Sequence, residues 1–331
     1  MDKCNGDYLS YENTKCLKGI SALFIILHHL YQNSLILKNT IFGSVFQEMG
    51  EWFVSIFFFC SGYGLMVSYN KKGKDYINKF IKNRILPFYI IYILLIIAYT
   101  VLYIVMGETK EISLNIIMKS FIFGGSIVRY GWYLQAILFF YWIFYLIFRF
   151  SRNDKERIVG LIVGYITYCI LCNLLNLTIT WYISSISFLL GTLWCKYKSN
   201  IDLFLSNKKR IYISLIIYVI LFVIIFILEK IILSENLFIL IHMIANVMFV
   251  LIILNILKIG FNIKNVLTEK IGNISFEIYV LQGIFILLYH SSVIFINNPW
   301  KYVIVTFIST IIFAYTLHPL FNKINMHFKN K

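Results

Sequence analysis

The chain has 331 residues, 60% of them hydrophobic and 14% charged, with a mean hydropathy of +0.79. An ordinary soluble domain is about 25% charged, so this composition excludes a water-soluble globular fold. Lys and Arg number 30 against 15 Asp and Glu, but they fall in short blocks between apolar runs, a pattern that sets membrane orientation and argues against a nucleic-acid partner.

A helix crosses a ~30 Å hydrocarbon core with about 20 apolar residues, and in lipid its backbone groups must be satisfied internally. Ten runs qualify: 17–37, 51–69, 85–106, 131–149, 157–176, 179–195, 211–229, 236–257, 271–294 and 302–321. The first is longer than a signal-peptide core and lacks a small-x-small cleavage site, so it reads as a retained anchor. The connection 107–130 contains an amphipathic piece, 112–123, expected to lie on the membrane surface. Taking the N-terminus as inside puts 24 of the Lys and Arg residues on cytoplasmic segments and only Lys38, Lys110, Lys119, Arg129, Lys230 and Lys301 outside. The expected fold class is an all-α integral membrane protein of about ten transmembrane helices, N-in/C-in. Residues 1–331 form a single polytopic domain in contact with membrane lipids, with a cytoplasmic segment 1–16 and tail 322–331. The expected location is the cell membrane.

Ionisable groups within membrane helices are costly and few, which makes each one a functional candidate. His29 lies eleven residues after Lys18, and eleven helical steps amount to roughly 16 Å of rise with ~20° of residual rotation. The two side chains therefore share a face, Lys18 at the cytoplasmic boundary and His29 at middle depth. A buried neutral imidazole can act as a base, although a packed histidine above an interfacial lysine satisfies the same spacing. His28, ~100° away, is expected to face a neighbouring helix. Arg84 opens the third run, where positive-inside charge explains it, although a guanidinium also suits phosphate.

Ser61-Gly62-Tyr63-Gly64 reads first as close helix packing, and Trp132-Tyr133 as part of an aromatic belt. Gln282 lies about as deep as His29, with Glu277 nearer the inner face. His242, His290 and His318 sit near run ends and read as interfacial or structural. Cys169 and Cys172 form a C-x-x-C with no second ligand pair, so no metal site is expected. Phosphate-loop, nucleophile-elbow and dinucleotide signatures are absent.

The order of the local motifs resembles the acyltransferase 3 family of multi-pass membrane acyltransferases. Lys18-Gly19-Ile20 followed by His29 is similar to its Arg-Gly with a histidine eleven residues on. The stretch from Phe57 to Tyr63 resembles its Phe-Phe-x-x-Ser-Gly-Phe/Tyr segment, and Arg84-Ile85-Leu86-Pro87 the basic start of its third helix. Trp132-Tyr133-Leu134 matches a Trp-Phe/Tyr-Leu element. Ser187 to Gly191 resembles a Phe-Leu-Leu-Gly segment, and Ile271 to Leu281 a Gly-x-x-Ser-x-x-Ile-Tyr-Leu segment. The departures are Lys18 for the usual arginine, a single Arg84 where a pair is common, and Gln282 where many members carry histidine.

The resemblance implies transfer of an acyl group, usually acetyl from acetyl-CoA as co-substrate, to a hydroxyl of a cell-surface or lipid-linked glycan, with no permanently bound cofactor. Lys18 and Arg84, with Ser61 and Tyr63, would serve the donor; Trp132, Tyr133 and Gln282 would serve the acceptor. His29 would be either the base or a transient acyl carrier. Ser61, Tyr63 and Gln282 are the available oxyanion donors. A different class of function, a glycan exporter or a non-catalytic membrane partner of a glycan synthase, would use the same scaffold. Against an exporter stand the scarcity of carboxylates in the runs and the absence of an inverted repeat.

Overall fold

The computed structural model describes residues 7–34, 36–228 and 235–329, and among these it contains helices, turns and one isolated bridge, His290 to Phe295, but no strand. Lys3, Cys4, Lys230 and Lys331 lie outside the described residues, as do the beginning of the N-terminal segment and the end of the tail. In chain order come α1 (Tyr11–Ser34), α2 (Ile41–Lys72) and α3 (Lys74–Asn78), then a π-turn (Ile81–Ile85) that runs into α4 (Leu86–Met106). The surface helix α5 (Leu114–Phe121) precedes α6 (Trp132–Phe150), α7 (Asp154–Leu174), the short α8 (Thr180–Ile183), α9 (Ile186–Lys196) and α10 (Lys198–Phe204). Last come α11 (Lys208–Leu228), α12 (Glu235–Ile259), α13 (Val266–Asn273), α14 (Ser275–Leu288) and α15 (Pro299–Lys329).

Each of the ten apolar runs is mostly helix over its described residues, but they are not ten equal spans. Among the described residues seven helices are long and apolar enough to cross a membrane, and an eighth span arises if α13 and α14, bent by 68°, count as one. The run 179–195 is divided at Ser184-Ser185 into α8 and α9. The first run is α1, which starts at Tyr11 and carries Lys18, His28, His29, Gln32 and Asn33, so it falls outside those seven. The second run also begins earlier than expected. Thr40 caps α2 by accepting from the Gly43 N–H at 3.0 Å, and the helix then passes through Gln47, Glu48 and Glu51 before the apolar stretch begins.

Lipid exposure accounts for the outer surface. α11 buries only Ile211 and Ser214, while Ile216, Ile220, Val223 and Ile224 stand exposed; hydrocarbon, unlike water, solvates such a face without penalty. α1 has the opposite environment, packed against α2, α13, α14 and α15.

Glycines set the closest crossings. A Cβ on Gly62 would strike the Phe188 carbonyl, and one on Gly191 would strike that of Phe59, so α2 and α9 meet backbone to backbone. A Cβ on Gly19 would come within 2.6 Å of the Gly272 nitrogen, which holds α13 against the start of α1. The glycine after Lys18 therefore has a packing role, and it seats Lys18 at the mouth of the first cavity described below.

Candidate active site

Lys18 opens into a polar cavity of about 290 Å³ with Asn83, Arg84, Tyr141, Glu277 and His318 on its walls. Arg84 is placed by the π-turn: Pro87 lacks an N–H, so the α-helical bond to the Asn83 carbonyl cannot form, and the Leu86 N–H reaches back to Ile81 instead. Asn83 and Arg84 also border a second, basic cavity of about 620 Å³ that includes Lys71, Lys72 and Lys79. The carboxylate of Glu277 is taken by His318, whose Nδ1 stands 2.7 Å away while its Nε2 accepts from Asn322 at 2.8 Å. The carboxylate of Glu277 is thus engaged by His318 within the cavity that Lys18 and Arg84 also line.

Between this end and the next, polar side chains interrupt the apolar core. The hydroxyls of Tyr133 and Tyr141 both approach Ser61, and Tyr141 lies beside Arg84. The Tyr133 ring meets the Tyr279 ring edge-on at 5.2 Å, and the Tyr279 hydroxyl donates to the Tyr130 carbonyl at 2.8 Å. Tyr63 does not join this line. It stacks on Phe59 in the cluster with Trp194 and borders neither cavity.

His29 stands at the other end, in the last two turns of α1 rather than at its middle, on a cavity of about 390 Å³. Its ring lies flat on Tyr130, with centroids 3.5 Å apart and planes 12° from parallel. Gln32 Oε1 is 3.4 Å from His29 Nδ1. An amide oxygen only accepts, so this contact suits the tautomer with the proton on Nδ1 and the lone pair on Nε2. Asn33 donates to the His29 carbonyl at 2.7 Å and to the Tyr130 hydroxyl at 2.9 Å, tying the two residues together.

Tyr130 adopts φ +61°, a left-handed conformation uncommon and strained for a bulky residue. What holds it there is the preceding loop, which Gln135 organises from α6. The Gln135 amide nitrogen donates to the Lys119 and Gly125 carbonyls at 2.8 and 2.7 Å, and its oxygen accepts from the Gly124 and Gly125 N–H groups.

His28 faces the neighbouring helix α2, as expected, and also borders the same cavity. Its Nδ1 donates to the Phe46 carbonyl at 2.8 Å, and its ring fills the space that a Cβ on Gly50 would need. Trp132 and Tyr279 form part of the wall, and the Glu51–His242 pair, 2.8 Å apart, lies across from α1 on α2 and α12. Gln282 is fully buried one turn beyond Tyr279. Its nitrogen donates to the Tyr279 carbonyl at 3.0 Å, and its oxygen has no hydrogen-bond partner among the described residues.

The structure therefore joins Lys18 to Arg84 at one end, and His29 to Trp132 at the other, with Ser61 and Tyr133 between them. Sequence reasoning missed Tyr130, Gln135, Glu51 and the role of His242. A family model described as an acyltransferase domain matches residues 12–318, nearly the whole chain, and the chain belongs to this acyltransferase 3 family. No curated protein and no solved structure matches it.

Proposed function

We propose that this member of the acyltransferase family moves an acetyl group from acetyl-CoA, bound at the Lys18 and Arg84 end, to a hydroxyl of a cell-surface or lipid-linked glycan at the His29 cavity. The observation that carries the reading is α1 itself. One helix presents a cation to a basic cavity and, roughly 16 Å further along, an imidazole to a cavity walled by aromatic and polar side chains.

The donor's phosphates match the basic end. Lys18, Arg84 and the lysines of the adjoining cavity leave an excess of positive charge there, because Glu277 is already engaged by His318. Arg84 offers a planar fork of donors and Lys18 a point charge, both suited to phosphate oxygens. The thiol-bearing arm would extend along α1 past Ser61 and Tyr133, bringing the thioester toward His29.

His29 acts in this reading as the general base. Its Nε2 takes the proton of the acceptor hydroxyl as the oxygen attacks the thioester carbonyl. The C–O bond forms, the C–S bond breaks, and the CoA thiolate leaves, to be protonated from the histidinium or from water. Stacking on Tyr130 and the contact with Gln32 fix the ring for that step. Aromatic faces and amide or hydroxyl groups at Trp132, Tyr279, Gln47 and Thr180 suit a sugar ring. Purified protein in lipid, given labelled acetyl-CoA and glycan, tests the reading: label should pass to the glycan hydroxyls with native protein and not with His29→Ala. No acetyl-CoA binding, or unimpaired transfer by His29→Ala, would overturn it.

A further inference from the structure

The geometry points to a binding site for one first-row divalent metal ion formed by Glu48, Glu51 and His242 in the wall of the His29 cavity. Each residue offers one ligand atom, and these atoms lie within 4.8 Å of one another. A four-coordinate ion with bonds of about 2.0–2.2 Å holds its ligands some 3–4 Å apart, so small side-chain rotations close the set. Glu48 and Glu51 are three residues apart on α2 and share a face; His242 comes from α12, which packs against α2. No spacing rule could have found the site, since His242 follows Glu51 by 191 residues.

Surrounding groups hold the ligands as metal sites require. The Asn246 amide donates to the His242 carbonyl at 2.9 Å, accepts from Ser55 at 2.7 Å, and lies beside Glu51. Ser184 donates to the Glu51 backbone carbonyl at 3.1 Å, and Phe238 packs on the imidazole with centroids 4.1 Å apart. Such outer partners orient ligands and tune their affinity.

All three residues border the cavity, so the ion would keep an open position for water or an acceptor oxygen, the arrangement of three protein ligands found in catalytic rather than closed structural sites. Carboxylates and imidazole without thiolate suit Zn²⁺, Mn²⁺ or Co²⁺. The site stands independently of the acyl-transfer reading, because binding can be measured without turnover.

Zn²⁺ serves as the probe, titrated into the full chain in lipid nanodiscs, free of affinity tag and stripped with chelator. Native protein should bind one equivalent that Glu51→Gln and His242→Ala lose. Glu48→Gln, at a half-buried position that tolerates the change, should weaken binding at least tenfold. Asn246→Ala, with all three ligands intact, should weaken it by about ten- to a hundredfold. His318→Ala, which disrupts the histidine–carboxylate pair at the opposite end, should keep the equivalent. Less than one equivalent on native protein, or an equivalent retained at native affinity in Glu48→Gln, overturns the site whatever the fate of acyl transfer.

Discussion

The two ends of α1 meet different surroundings. Around Lys18 the cavity is cationic and its one carboxylate is satisfied by a histidine; around His29 it holds aromatic rings, amides and carboxylates, with His28 and His29 set by neutral partners and His242 by Glu51. The proposed function places the anionic donor at the first end and the neutral hydroxyl of the acceptor at the second. The contrast teaches that a single rigid helix can fix the separation between two chemistries while separate loops and helices build each of them.

The largest expected effect lies at the His29 end. His29→Ala should lower the rate of acetyl transfer by about 10²–10⁴-fold, the range lost with a general base, while acetyl-CoA affinity at the other end is unchanged. His28→Ala should be milder, since its ring nitrogen is committed to the Phe46 carbonyl. Equal losses in the two variants would erase the distinction between them.

The next effect lies at the cationic end and has the opposite signature. Arg84→Ala should raise the donor Kd by about ten- to a hundredfold, equivalent to the ~1.5–3 kcal/mol of a charge-assisted contact, with the rate at saturating donor nearly native. Arg84→Lys should recover part of this, and Lys18→Arg should be tolerated better than Lys18→Ala. A fall in the saturated rate without a change in Kd would move Arg84 out of donor binding.

Smaller effects test the scaffold that sets the two ends apart. Gly62→Ala should cost ~1–3 kcal/mol, because a methyl group meets the Phe188 backbone, and should lower the thermal midpoint of the purified protein. Gly64→Ala meets nothing within 4 Å and should be neutral or stabilising by up to ~1 kcal/mol.

The smallest effect concerns Asp202, which lies on α10 outside the spanning helices and bonds Lys198 at 2.6 Å and Lys258, in the last turn of α12, at 2.5 Å. Burial of its carboxyl raises the pKa, but hydrogen bonds and charge from the two lysines outweigh this and hold it below the usual carboxylate range. Its stabilisation is therefore present above about pH 4 and is lost as pH falls through the lowered pKa. Asp202→Asn should cost about 1 kcal/mol or less at neutral pH, and the difference from native should vanish in acid.

Much of this was legible in the sequence because hydropathy and helical spacing are local. Each of the ten apolar runs is mostly helix over its described residues, and Lys18 and His29 both fall on α1, each at the edge of a cavity. The start of α2 was missed because Gln47, Glu48 and Glu51 face a cavity, so they break the apolar signal while the helix continues. Tyr63 was grouped with Ser61 although two residues turn a helix by ~200°, which sends it to the opposite side. Tyr130 and the Glu51–His242 pair depend on long-range packing that no local pattern encodes.

Sidedness tests the central claim most directly. In sealed vesicles whose orientation is read by labelling Lys72→Cys, acetyl-CoA confined to the Lys72 face should acetylate glycan supplied only on the opposite face, if the proposed sidedness of the His29 cavity holds. Acetylation that occurs only when donor and glycan share one face would contradict the account of one helix joining two ends.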